Sequence, residues 1–494
     1  MRGVEGAFLA LATALARSQR ILAMSAALGL TPLLSGCIVG YEKPPLALEI
    51  PSKYQHGAGS PDAALPALDW WRGFRSRELT FLMEAAQANN LDIAIAIARI
   101  QQADAQARIA GSALLPVIDA NFTARRSRPS QNASGGTTIR TGSIETSLYD
   151  ANLSASYEID FWGKNRANLL AAEENTVATR YDREVIALTT MATVANTYFQ
   201  MLSAQDRLRI AHDNVAAASR VLALIRERLQ AGTASQLDIA QQESVVATQR
   251  ATIPAFEITL RQSMAQLAVL IGRAPEHVKV RGGSTNAIRV PPISPGLPSD
   301  ILRQRPDVRE AEAQLASANY SVESARAAFF PNIALTGSRG FQSAALTTLF
   351  GPGAWFYTMA ASVTQPVFDG FLLQGQFDLA RGQQQEFLQN YRRAVLSAFS
   401  DVEQALIAVE QQARREQLQT EAVRSARQAF QLSEQRLREG TVDLITVLNT
   451  QQTLFQAQDT LAQVRLARLQ ALVSLFRALG GGWPPLDTNR SVSQ

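Results

Sequence analysis

One cysteine and three histidines are the whole supply of thiol and imidazole in 494 residues. The single thiol, Cys37, excludes an internal disulfide. His56, His212 and His277 stand far apart in sequence, none near a Ser, Cys or carboxylate at a catalytic spacing. Neither a Gly-rich phosphate loop nor a metal-ligand cluster is present, so an enzyme is not expected and no cofactor is implied. Charged residues are 18% of the chain, below the roughly 25% of soluble averages. The net charge is only +4, and no Lys/Arg run resembles a nucleic-acid patch. No segment carries the ~18 consecutive apolar residues that a spanning helix needs.

What is present begins with an export signal. Arg2, Arg17 and Arg20 form a positive region, and Ile21 to Leu34 is an apolar run of 14, the size of a signal core. It ends in Leu34-Ser35-Gly36-Cys37, and the sole cysteine stands where a lipidated N-terminus would need it. The segment from Ile38 to Pro66 is Pro-rich and reads as an extended arm, followed by Trp70, Trp71 and Phe74, which read as core packing ahead of a first helix near 77–89.

From Tyr149 to Phe161 the chain alternates without a fault. Tyr149, Ala151, Leu153, Ala155, Tyr157, Ile159 and Phe161 fall on one face, and Asp150, Asn152, Ser154, Ser156, Glu158 and Asp160 on the other. Period two means a strand with one apolar and one polar face. It is longer than the usual ~5–6 residues, and aromatic residues sit at both ends, as in membrane barrels. Val117 to Ser127 alternates in the same way. After Gly163 a helical pattern runs to about Gln230, which at ~1.5 Å per residue is about 100 Å of helix. Tyr181, Val185, Leu188, Ala192, Ala195, Phe199 and Leu202 are spaced alternately four and three, a coiled-coil seam. Gly232 breaks this helix, and Ser235 with Asp238 forms a capping-box pattern for the next, to about Ile271.

The chain then repeats itself. Ala113–Pro116 (ALLP) echoes Ala328–Pro331 (AFFP), Gly163 matches Gly370, Tyr181 and Val185 match Tyr391 and Val395, and Gly232-Thr233 matches Gly440-Thr441, at offsets of 207 to 215. The expected division is a signal over 1–36, a lipidated arm over 37–76, a first repeat over 77–271 with strands 117–127 and 147–161, a connection over 272–298, a second repeat over 299–479 with strands 332–341 and 355–368, and a tail over 480–494. The fold class is mainly α with a membrane β part. Four strands cannot close in lipid, where unpaired backbone is costly and barrels start at about eight strands. The chain is therefore expected to share a barrel with other copies, eight strands in a dimer or twelve in a trimer.

Several segments together resemble a known family: the lipobox at Cys37, Tyr157–Lys164 (YEIDFWGK), Arg305–Leu315 (RPDVREAEAQL), Phe329–Ile333 (FFPNI), Gln365–Gly370 (QPVFDG) and Ala478–Trp483 (ALGGGW). The chain resembles the TolC-like outer membrane efflux proteins, specifically the NodT-type lipoproteins that serve RND efflux systems. The resemblance implies a homotrimer with one twelve-stranded barrel in the outer membrane, continued by an α-helical periplasmic tunnel, with an equatorial belt drawing on 272–298. It implies a covalent lipid on Cys37, an anchorage in the outer membrane lipid, and passive conduction of small molecules, drugs or toxic compounds, from an inner-membrane RND pump and a periplasmic adaptor. The exit duct of a type I protein-secretion system is the alternative on the same fold.

In that family the tunnel closes where the helix pairs turn, here at Gly232–Asp238 and Gly440–Thr446. Gly232, Thr233, Gly440 and Thr441 are the expected adaptor-docking apices. Thr446 and Asn449 stand where relatives often carry an aspartate. Two readings of the nearby charges stay open: Asp238 and Asp443 pair with Arg228, Arg436 and Arg438 to hold the tip shut, or the two aspartates are helix caps and the arginines are solvated.

Overall fold

A computed structural model of the chain describes residues 48, 51, 54–56, 67–128, 145–291 and 298–481. Cys37, the signal, the lipobox, most of the arm, the loop over 129–144 and the tail beyond 481 lie outside the described residues. Helices α1 (Arg77–Asn89) and α2 (Leu91–Ser112) lead to strands β1 (Val117–Ser127) and β2 (Thr146–Ile159), then to α3 (Lys164–Gln230) and α4 (Gln236–Leu270). The second half runs α5 (Pro298–Gln304), α6 (Pro306–Ala327), β3 (Asn332–Ser343), β4 (Trp355–Thr364), α7 (Leu372–Arg438) and α8 (Leu444–Ala478). The duplication is exact in length: α3 and α7 each have 67 residues, α4 and α8 each have 35. Starts at 164 and 372, and at 236 and 444, give the same shift of 208.

The chain divides into two compact units. One takes in Ala107–Ala171 and Ala318–Gln384 and holds the sheet. The four strands are antiparallel in the order β1-β2-β3-β4, so β1 and β4 are both edges. The register sets Phe122, Ala151, Phe341 and Trp355 in one row and Ile118, Ala155, Gly337 and Met359 in another. The alternation read from sequence therefore becomes one apolar face across the sheet. That face is bare: Ile118 is 67% exposed, Tyr357 63% and Met359 83%. An apolar surface of this kind calls for lipid or a partner to cover it.

Several strand ends differ from the sequence reading: β2 begins at Thr146, one residue early, and β3 runs past 341 to Ser343, with the Gln342 N–H still donating to the Ala354 carbonyl. Strand β2 stops at Ile159, short of 161, because Asp160 leaves the ladder and its carboxylate accepts from the Asn165 and Arg166 N–H groups at the start of α3. Strand β4 stops at Thr364, short of 368: Pro366 has no N–H for a ladder, and the Gln365 amide instead donates to the Phe329 carbonyl. The residue before a proline is driven out of helical geometry, and α2 ends at Ser112, with a turn before Pro116.

The other unit takes in Leu46–Gln106, Ala172–Ser317 and Gln385–Gln494. Its main core joins Trp70, Trp71 and Phe74 to Phe199 of α3 and Phe476 of α8. Trp70 stacks on Phe476 at 4.9 Å and 20°, a contact worth ~0.5–1.5 kcal/mol beyond area burial. Most of the heptad seam is buried: Ala192, Ala195, Phe199 and Leu202 on α3, and Val395, Ala398, Val402 and Ala405 on α7, are all under 6% exposed, while Val185 and Leu188 are half-buried. Alanines in the seam let helix axes approach closely. The described part of the arm is anchored too. Tyr54 is buried against Val395 and Val402, and Glu403 on α7 accepts from the backbone N–H of His56 at 2.9 Å and pairs with its Nδ1.

Candidate functional site

The two helix reversals are built alike. At the first, the Gly232 N–H donates to the Leu229 carbonyl at 2.9 Å and the Thr233 N–H to the Arg228 carbonyl at 2.8 Å. At the second, Gly440 donates to Leu437 at 3.1 Å and Thr441 to Arg436 at 2.9 Å. These are Schellman closures, which need a left-handed residue after the helix. Both glycines have φ 75, and a side chain at either would meet no atom within 4 Å, so the requirement is backbone conformation, not space. Each threonine hydroxyl adds a second bond to the same carbonyl, Thr233 to Arg228 and Thr441 to Arg436.

The following helices are capped with roles exchanged. Ser235 accepts from the Asp238 N–H while Asp238 accepts from the Ser235 N–H, a full capping box. At the second turn Asp443 is the cap, accepting from the Thr446 N–H at 2.9 Å and from its hydroxyl. Those bonds to Thr446 hold the Asp443 carboxyl below its usual range. Arg228 reaches the other turn and donates to the Leu437 carbonyl at 2.6 Å. Among the described residues no ion pair joins Asp238 or Asp443 to Arg228, Arg436 or Arg438. Within one chain the two carboxylates are committed to capping, and the turns meet through a carbonyl. A common core of Ile225, Val246, Phe430, Leu437, Val447 and Phe455 lies behind them.

Two polar knots sit in the same unit, and sequence reading passed over both. Arg305, 8% exposed, forks onto Asp307 at 3.0 and 2.6 Å and also donates to Asp401 and to the Ala478 carbonyl. It ties the start of α6 to α7 and to the end of α8, which gives the RPD motif a structural purpose. Gln242 and Gln451, both fully buried, meet amide to amide at 3.2 Å. The Gln242 carbonyl oxygen and the Gln451 amide nitrogen are left without partners. The signal in the sequence was slight: the shift of 208 carries Gln242 to Thr450, one position before Gln451.

At the helical end of the sheet the remaining motifs converge. Trp162 stacks on Phe330 at 4.7 Å, its Nε1 donates to the Pro331 carbonyl, and Phe161 packs edge-on to it. Lys164 pairs with Glu158 at 2.6 Å. Among the described residues there is no group of carboxylates, histidines and cysteines fit to hold a metal, and no helix long and apolar enough to cross a membrane.

The family model for outer membrane efflux proteins matches residues 82–273 and 297–481, which are the two repeats. This chain belongs to the outer membrane efflux protein family. It is similar to the pyoverdine export outer membrane protein OpmQ of Pseudomonas putida, 40% identical over 89% of this chain and 93% of that one. It is also similar to the probable efflux pump outer membrane protein TtgC of the same species, 30% identical over 91% and 94%. The outer-membrane channel OprN superposes with a TM-score of 0.84 at 25% identity, covering 90% of this chain and 98% of that one. The Campylobacter jejuni CmeC outer membrane channel gives 0.80 at 25% identity, covering 90% and 96%. The fold is thus TolC-like, and the chain is an outer-membrane efflux channel, not an enzyme.

Proposed function

We propose that three copies of this chain pool their strands into one twelve-stranded barrel and pass small molecules out of the cell through it, without chemistry. The observation that carries the reading is the sheet: four strands, two unpaired edges and one bare apolar face. Edges of this kind cannot face hydrocarbon, so β4 of one copy pairs with β1 of the next until the ring closes. The polar face, with Asn121, Asn152 and Ser154, then lines the water path.

In this reading Cys37 carries the lipid that adds to the barrel's hold on the membrane. The matched turns at Gly232-Thr233 and Gly440-Thr441 receive a periplasmic adaptor, which joins the duct to an inner-membrane pump of the RND class. The cargo is a small molecule, in keeping with relatives named for pyoverdine export and for efflux pumps.

The test has two parts. The purified chain in detergent is weighed by light scattering and inserted into planar bilayers; three copies and a steady ionic conductance are expected, and a folded monomer without conductance overturns the proposal. A deletion strain is then profiled against small toxic compounds. Raised susceptibility is expected, whereas unchanged susceptibility with loss of a secreted protein would assign the duct to protein export instead.

A further inference from the structure

We infer that Arg339 forms a binding site for the phosphate of an outer-leaflet lipid headgroup. This rests on the channel reading above, in which the apolar sheet face meets lipid and the strand ends away from the helices point outward.

Six rows of residues cross the apolar face, from Ala124–Tyr149–Ser343 at the loop end to Ile159–Ile333–Val363 at the helical end. Arg339 is the one charged residue in all of them. It lies between Leu153 and Tyr357, one row below Phe341 and Trp355, and β3 is an inner strand, so neighbouring copies do not cover it. The next charge on this face, Arg126 at the end of β1, already pairs with Glu145. Arg339 is exposed and, among the described residues, engages no carboxylate. The carboxylates of the sheet, Asp119, Asp150 and Glu158, sit on the opposite, polar face by the same register.

The direction of the side chain is informative. Tyr357 is the direct cross-strand partner of Arg339, yet the guanidinium lies over the ring of Trp355, 5.8 Å from its centre. Trp355 is two residues further toward the loop end, a step of about 7 Å along a strand. The arginine therefore climbs away from the hydrocarbon middle, as long basic side chains do near an interface. It arrives among Phe341, Phe350 and Trp355, where the Phe341 and Phe350 rings stand 5.3 Å apart, a girdle at headgroup level. A planar fork of donors with its apolar stem in lipid and no protein anion suits a phosphate. At that depth the phosphates belong to lipid headgroups.

Native mass spectrometry of the full chain, titrated with bisphosphorylated lipid A and with chemically dephosphorylated lipid A, tests the site. Wild type is expected to retain the phosphorylated lipid about tenfold better than R339Q, the effect of one charge-assisted bond. Dephosphorylated lipid A should bind both alike, and millimolar inorganic phosphate should not displace the lipid. R339K, a cation without the fork, is expected between them. W355L keeps the cation and tests the girdle should R339Q fail to assemble; a partial loss is expected. Equal retention of phosphorylated lipid by wild type and these variants overturns the site, and full displacement by inorganic phosphate replaces it with a free-anion site. Wild-type conductance in planar bilayers separates the two levels: a conducting chain with no phosphate preference removes only the lipid site, and a chain that neither inserts nor oligomerises removes both.

Discussion

Single residues in the helical unit carry two decisions that can be measured. Gln242 and Gln451 satisfy each other only in part, so removing one leaves the other stranded. Gln242→Leu alone is expected to cost ~1–3 kcal/mol, whereas Gln242→Leu with Gln451→Leu should recover most of that loss. Thermal unfolding of the four members of the cycle checks this; additive losses would mean the pair is not coupled. The second decision belongs to Glu310 on α6. Burial pushes its carboxyl up to about 7, and the nearby Asp182 and Asp307 carboxylates push the same way. A folded pKa above the ordinary value means that stability is fully present below the ordinary value of 4.5 and is lost as pH rises through about 7. Wild-type Tm minus that of Glu310→Gln should therefore fall from about pH 4.5 and level off above about pH 7, since the mutant keeps the neutral form throughout. A flat difference would show that the group titrates normally.

At the scale of elements the reversals are the sharpest case. Gly232→Ala and Gly440→Ala force a Cβ into left-handed backbone without any clash, so each is expected to cost ~1–2 kcal/mol through backbone conformation alone. Hydrogen exchange at Thr233 and Thr441 is the measurement: both N–H groups donate into the closures and should lose protection, while seam residues such as Phe199 should not. Much at this scale was legible beforehand. Period two gave the strands, the four-three spacing gave the buried seam, and matched glycines gave both turns. Strand ends were less legible because side chains decide them: Asp160 defects to cap α3, and Gln365 and Pro366 leave the ladder. The fate of the turn charges was also hidden, since a carboxylate at a helix start serves as a cap or as an ion-pair partner with the same spelling. The Arg305 knot was hidden for a different reason: beyond Asp307 in its own motif, its partners Asp401 and Ala478 stand 96 and 173 positions away.

For the whole molecule the edge strands make a direct prediction. Cysteines at Thr123 on β1 and Thr358 on β4 of one copy are separated by two intervening strands and by four positions along them, roughly 19 Å at the ordinary spacings. That is too far for a disulfide within a chain, where Cα atoms must come within ~7 Å. Oxidation of a small series around these two positions should therefore give linked products between copies, in a ladder ending at three. A ladder ending at one copy, or extending without limit, would exclude a closed ring. The exact agreement of the two halves, 67 with 67 and 35 with 35, has an evolutionary corollary. Point changes along the seam can accumulate one at a time, but an inserted or deleted turn in one helix mismatches its companion and its counterpart at once. Length in such a lineage should be far more conservative than spelling, and any descendant of different reach must have altered both hairpins together.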